Sequence, residues 1–301
     1  MQTVHLTKYT VHRVFLSNPD PMRYSRIHKD KKQAAGESGA ETNQIRRSSR
    51  LPEGPKFESK EKIMKGLIAI RTTGLTRIYN EKTAVDHLDL TIPEGELFAL
   101  LGVNGAGKTT TIRMLSCLTA PTRGTAEIFG HDVSREPDAV KEMIGISTQD
   151  TAVAEKLTVE ENLRFMAEIY GKNRDAAEGI IRDFGLEEVR SKRAKTLSGG
   201  WKRRLSIAMA LIGDPKVLFL DEPTLGMDVL ARRELWKIIS DLKGKTTIIL
   251  TTHYMEEAEA LSDRIGVMIR GRLVELGTLS ELEEKTGRKG LEEVFVSLAD
   301  R

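Results

Sequence analysis

The chain has 301 residues, 39% of them hydrophobic and 30% charged, which suits a globular domain of ordinary size plus extra material better than two full domains. Its formal net charge of +3 is too small to argue for a specific nucleic-acid partner, and a single cysteine, Cys117, cannot form an internal disulfide. No stretch approaches the roughly 18 apolar residues of a membrane span, so any membrane role is expected to come through a partner.

Residues 1–65 are rich in Arg, Lys, Ser, Gly and Pro and show no sustained apolar period, so they are expected to form a disordered basic extension. A sharper alternative for this tail is contact with anionic lipid or RNA. Lys60-Glu61 can be encoded as a ribosome-binding sequence suitably spaced from Met64, which makes Met64 an expected translation start.

From residue 66 the pattern changes. Residues 67–70 and 84–92 alternate as half-buried strands, with a turn at Pro93-Glu94-Gly95. Residues 96–101 are a short apolar run, predicting a buried strand, and 109–118 read as helix. A further strand is expected at 143–148. Residues 158–198 read as helical, opened by the Thr158/Glu161 capping box, with a second helix over 175–184. Strands return at 216–220, 246–251 and 264–269, with helices near 202–212, 229–242 and 255–261. Such alternation predicts an α/β fold with a mainly parallel sheet, interrupted at about 151–200 by a helical subdomain.

Between the buried strand and the first helix stands Gly102-Val103-Asn104-Gly105-Ala106-Gly107-Lys108-Thr109, followed by Thr110. This is the G-x-x-x-x-G-K-[ST] phosphate loop in its proper strand–helix context. Glycines allow consecutive N–H groups to converge on one anion, and the helix adds its positive end. Lys108 supplies a charge for the β- and γ-phosphates, and Thr109 offers a hydroxyl to Mg²⁺. The motif alone implies only nucleoside triphosphate binding.

The apolar run Val217-Leu218-Phe219-Leu220 delivers Asp221 and Glu222 at the C-terminal edge of a strand, where ligands sit in open α/β sheets. Neighbouring strand residues point opposite ways, so the two acids are expected to differ in task. Asp221 suits the Mg²⁺ shell, and Glu222 suits activation of an attacking water. Leu197-Ser198-Gly199-Gly200 then opens a helix, with Ser198 as a natural N-cap and open N–H groups behind it. A second anion-binding helix start in one chain suggests a site shared between two chains.

These motifs in this order resemble the ATP-binding subunit of an ABC transporter, most closely the branch serving ABC-2-type drug and sodium exporters, from about residue 67 to the end. The resemblance implies a P-loop NTPase with a RecA-like, mainly parallel sheet, an antiparallel β subdomain and an inserted helical subdomain. It also implies that Tyr79 stacks on adenine, that Gln149 touches Mg²⁺ and water, that Leu225–Asp228 forms a dimer-contact loop, and that His253 is a switch histidine at the γ-phosphate. Two units would then pair head to tail, with Mg-ATP between Lys108 and Thr109 of one and Ser198–Gly200 of the other. Further implications are a multi-span permease partner reached through residues 150–157 near Gln149, a location on the cytoplasmic face of the membrane, and a closing helix over 290–298. Trp201 departs from the family's common Gln. Ribosome-acting relatives, which usually carry two cassettes, and DNA-repair relatives, which carry a long coiled coil between the two Walker motifs, fit less well. A non-hydrolysing module is disfavoured by the intact Lys108, Asp221, Glu222 and His253.

Overall fold

The computed structural model describes residues 68–300; the expectations for residues 1–65, including the start at Met64, lie outside these residues. The chain opens with β1 (Ile68–Tyr79) and β2 (Lys82–Pro93), an antiparallel pair in which Ile70 faces Ile92 and Leu75 faces Leu88. With β4 (Arg123–Ile128) and β5 (His131–Asp132) they form a four-stranded antiparallel sheet in the order β2-β1-β4-β5.

The second sheet has six strands in the order β10-β9-β3-β8-β7-β6. Its members are β3 (Leu97–Leu101), β6 (Ile144–Ser147), β7 (Val217–Asp221), β8 (Thr247–Thr252), β9 (Arg264–Ile269) and β10 (Arg272–Gly277). The first five pair in parallel, and only β10 runs antiparallel to its neighbour. Every residue of β3, β6, β7 and β8 is buried, as strands covered on both faces must be.

Helices α1 (Lys108–Leu115) and α2 (Pro137–Met143) lie between the sheets' strands in sequence. α3 (Val159–Ile169) and α4 (Arg174–Asp183) follow β6, and the chain then leads into α5 (Gly199–Leu211). Residues 158–198 are therefore not helical throughout: past α4 only two short 3₁₀ turns remain, at Glu187–Val189 and Ala194–Thr196. Arg190 bridges Glu160 of α3 and Glu178 of α4 from this irregular stretch, and this charged clasp, rather than helix, holds the segment. The Thr158/Glu161 capping box forms as read. One core, with Leu163, Phe184, Leu205, Leu218 and Leu250, runs from these helices into the parallel sheet.

α6 (Val229–Ser240) and α7 (Met255–Leu261) flank β8 in sequence. Beyond β10, α8 (Leu279–Thr286) and α9 (Leu291–Ala299) pack Leu282, Leu291, Val294 and Leu298 on Ala99, Leu101 and Val267, which confirms a closing helix. Among the described residues no helix is long and apolar enough to cross a membrane.

Candidate functional site

The site forms where β3, β7 and β8 end on the same side of the parallel sheet. β3 runs out at Leu101, and the loop from Gly102 turns directly into α1. Two glycines are sterically required. A Cβ at Gly102 would lie 2.4 Å from the Met268 carbonyl oxygen, and one at Gly107, where φ is +106°, would lie 2.4 Å from the Ala84 carbonyl oxygen. Gly107 also occupies the N-cap of α1 without a capping side chain, so the first amides of the helix stay open for an anion.

Lys108 is 5% exposed. Its ammonium donates to the Gly102 carbonyl at 2.6 Å and to that of Val103 at 3.3 Å, and it pairs with Glu222 Oε1 at 3.1 Å. The other oxygen of Glu222, Oε2, is hydrogen-bonded to His253 Nδ1 at 2.7 Å. Lys108, Glu222 and His253 therefore form one continuous row. Glu222 sits in the left-handed backbone region, φ +50°, and its N–H donates both to the carbonyl and to the hydroxyl oxygen of Thr251. From this backbone its carboxylate reaches Lys108 of the phosphate loop.

Asp221 faces a different set of groups. Its Oδ1 accepts from Thr109 Oγ1 at 3.1 Å and from Thr251 Oγ1 at 2.6 Å. Burial pushes the Asp221 carboxyl above its ordinary range, an effect the two hydroxyl donors oppose. The two neighbouring carboxylates thus have separate partners, as expected, but strand alternation is not the cause: β7 ends at Asp221 and Glu222 lies beyond it in the left-handed region. Thr251 organises both of them, and no motif in the sequence pointed to it.

A cleft of about 390 Å³ runs beside this row, from Tyr79 past residues 104–110 to Gln149 and Glu222. Lys82 and Ala84 of β2 also line it, and sequence reading had not singled them out. Tyr79 stands at the mouth, held by the Arg77 guanidinium 4.4 Å above its ring. Asn104, Gly105, Ala106, Gly107, Lys108, Thr109 and Thr110 all border the cleft, whereas Gly102 and Val103 serve as carbonyl acceptors for Lys108 behind it.

The remaining expected residues lie elsewhere. Ser198, Gly199, Gly200 and Asp228 do not line this cleft. Asp228 caps α6, accepting from the N–H groups of Leu230 and Ala231 at 3.0 Å. Ser198 occupies the N-cap position of α5, as expected, and its side chain makes no capping hydrogen bond. Nothing lies within 4 Å of where a Gly199 Cβ would stand, and Ser198 and Gly199 are exposed, whereas a Cβ at Gly200 would lie 3.6 Å from the side chains of Met227 and Ala231. Near it, the Arg204 guanidinium lies 4.9 Å over the Trp201 ring and pairs with Glu234.

The family model described as ABC transporter matches residues 85–225. The daunorubicin/doxorubicin resistance ATP-binding protein DrrA of Streptomyces peucetius is 46% identical over 224 residues, covering 73% of this chain and 68% of the relative. Of several longer relatives the chain spans only between 9% and 28%. A solved ATP-binding subunit of an ABC transporter superposes with a TM-score of 0.70 at 31% identity, over 76% of this chain and 99% of that one. A bacterial ABC transporter cassette solved as a dimer, MJ0796, superposes with a TM-score of 0.64 at 25% identity, over 70% of this chain and 98% of the other. On these matches the chain belongs to the ABC transporter family as an ATP-binding, ATP-hydrolysing subunit.

Proposed function

We propose that two copies of this chain close on ATP, each nucleotide held between Lys108, Thr109 and Thr110 of one copy and Ser198, Gly199 and Gly200 of the other. The observation that carries this reading is the pairing of a complete phosphate cradle with a second open helix N-terminus that does not line the same cleft. Tyr79 stacks on the adenine, the amides of residues 102–110 receive the phosphates, and Lys108 exchanges Glu222 for phosphate oxygen. Glu222 then takes a proton from the attacking water, while His253, hydrogen-bonded to Glu222, steadies it and faces the terminal phosphate. Asp228 reaches the dimer contact through the turn it caps.

The residues present fit a magnesium ion. A hydroxyl and a carboxylate oxygen, Thr109 Oγ1 and Asp221 Oδ1, stand 3.1 Å apart, and no ion pair neutralises Asp221 among the described residues. No cluster of three or more His, Cys, Asp or Glu side chains suited to a metal occurs among them either, as befits an ion bound chiefly through substrate phosphates. Thr109, Asp221 and Gln149 would hold it; when bound, it neutralises charge on the β- and γ-phosphates.

In the same reading, residues 66–301 are the ATPase unit with a helical subdomain at about 151–200, and residues 1–65 are an extension outside it. Residues 150–157, beside Gln149, dock on a separate multi-span permease at the cytoplasmic face of the membrane. Export is favoured over import by the likeness to the daunorubicin/doxorubicin resistance protein. The test is co-expression with the product of a neighbouring gene that has about six apolar spans. The chain should sediment with membranes in its company and stay in the supernatant alone; the same distribution in both cases would contradict the reading.

A further inference from the structure

We propose that Arg203 is a positioning residue that couples a chain's own ATP site to the half-site it lends its partner, an inference that rests on the shared-site reading above. Arg203 lies on α5, about one turn beyond Ser198–Gly200, and is 4% exposed. Its Nη1 donates to the Thr148 carbonyl at 2.5 Å and its Nη2 to the Gln149 carbonyl at 2.6 Å. The planar guanidinium thus grips two consecutive carbonyls of the segment that carries Gln149 into the nucleotide cleft. One helical turn further on, the hydroxyls of Ser206 and Ser147 are hydrogen-bonded at 3.0 Å, both buried. α5 is therefore pinned at two successive turns to the end of β6 and the loop that follows it.

The chemistry of the grip is specific. Burial opposes the charge on Arg203, while Asp221, Asp150, Glu257 and Glu222 around it favour that charge. No carboxylate comes within ion-pair distance of it among the described residues; its direct partners are backbone carbonyls. A buried cation spent wholly on two carbonyls of one loop fixes the position of that loop relative to the helix, which apolar packing alone would hold with less direction. Arg204, the next residue, faces α6 and the Trp201 ring instead.

Gln149 borders the ATP cleft of its own chain, and Ser198–Gly200 do not. When ATP draws the Gln149 loop, the two hydrogen bonds must either break or carry α5 with them. A helix is stiff along its axis, so its first turn moves too, and that turn completes the other nucleotide site. Occupancy of one site thereby sets the fit of the other, a coupling free energy in the reciprocal sense.

Two variants and the Glu222→Gln background test this. Arg203→Met removes both donors and keeps most of the stem, and Arg203→Lys keeps the charge with a single ammonium. In the Glu222→Gln background, fluorescent ATP should bind dilute, monomeric Arg203→Met within about twofold of its parent, since the cradle is untouched. ATP-driven dimerisation should weaken by about tenfold or more. With Glu222 intact, the steepness of turnover against ATP concentration should fall to a simple hyperbola in Arg203→Met and to an intermediate value in Arg203→Lys. A merely structural arginine would lower the melting temperature and leave that steepness alone, and this result would overturn the proposal. Should Arg203→Met not fold, unchanged steepness in Arg203→Lys overturns it equally. If Glu222→Gln itself stays monomeric with ATP, the shared-site reading falls and takes this inference with it. If it dimerises and Arg203 changes nothing, only the coupling falls.

Discussion

Glu222→Gln separates binding from chemistry, because the structure gives its two oxygens different neighbours. The substitution preserves size, leaves the left-handed backbone at residue 222 in place, and keeps the N–H bonds to Thr251. What it removes is the charge that faces Lys108 at 3.1 Å and His253 at 2.7 Å. Loss of a general base costs turnover about 10²–10⁴-fold. ATP affinity should move the other way. In the free protein, phosphate must displace a carboxylate from a buried ammonium; displacing a carboxamide forgoes a charge-assisted bond worth about 1 kcal/mol more than a neutral one, or roughly fivefold tighter binding. The assay pairs phosphate release at saturating Mg-ATP with equilibrium binding of a fluorescent ATP in the same buffer. Turnover within about threefold of wild type would refute the base assignment. Weaker binding would refute the view that Glu222 competes with phosphate for Lys108.

Gly107→Ala should destabilise the protein by about 2–4 kcal/mol, since the new Cβ meets the Ala84 carbonyl oxygen at 2.4 Å and Met268 Cε at 2.7 Å, in backbone already at φ +106°. An unchanged melting temperature would contradict that. Tyr79→Ala should raise KM for ATP about 5- to 100-fold, the worth of one base stacked on an aromatic ring, with kcat nearly unchanged; a fall confined to kcat would rule out stacking. Glu257 is wholly buried, and its Oε1 accepts from Thr224 Oγ1 and Trp236 Nε1. Burial raises its pKa, so its contribution to stability is complete below the ordinary carboxylate range and is lost as pH rises through the raised folded value. Glu257→Gln should therefore be more stable than wild type by about 1 kcal/mol at pH 8, with the gap closing as pH falls to about 4. Thermal unfolding across that range checks it, and a gap independent of pH would contradict it.

Much of the fold was legible where burial writes an unbroken apolar run. β3 and β7 read directly as LFALL and VLFLD, and each ends at the site. β4, RGTAEI, and β10, RLVELG, escaped notice because they are short and largely polar, with few buried positions. α2 buries only Val140, too little to create a period. α8 carries the same local signal as α3, a capping box formed by Thr278 and Glu281. α1 stops at Leu115, short of the 109–118 span its sequence predicts, and Cys117 adopts φ +59° just beyond it. At the site, the cradle and the Asp221/Glu222 pair were legible because their spacing is dictated by phosphate geometry. Thr251, Arg203 and Glu257 were not, because each acts through contacts between residues far apart in sequence. Ser198 stands at the N-cap its sequence position indicates, while its hydroxyl makes no bond to its own helix, a detail that only the folded geometry shows.

The central claim is that one nucleotide is gripped by two chains, and the mass of Glu222→Gln in solution tests it most directly. Light scattering on a sizing column should show a monomer without nucleotide, a dimer with Mg-ATP, and a monomer again when Ser198→Arg blocks the open start of α5. A Glu222→Gln protein that binds ATP and remains monomeric, or a dimer indifferent to Ser198→Arg, would contradict the account.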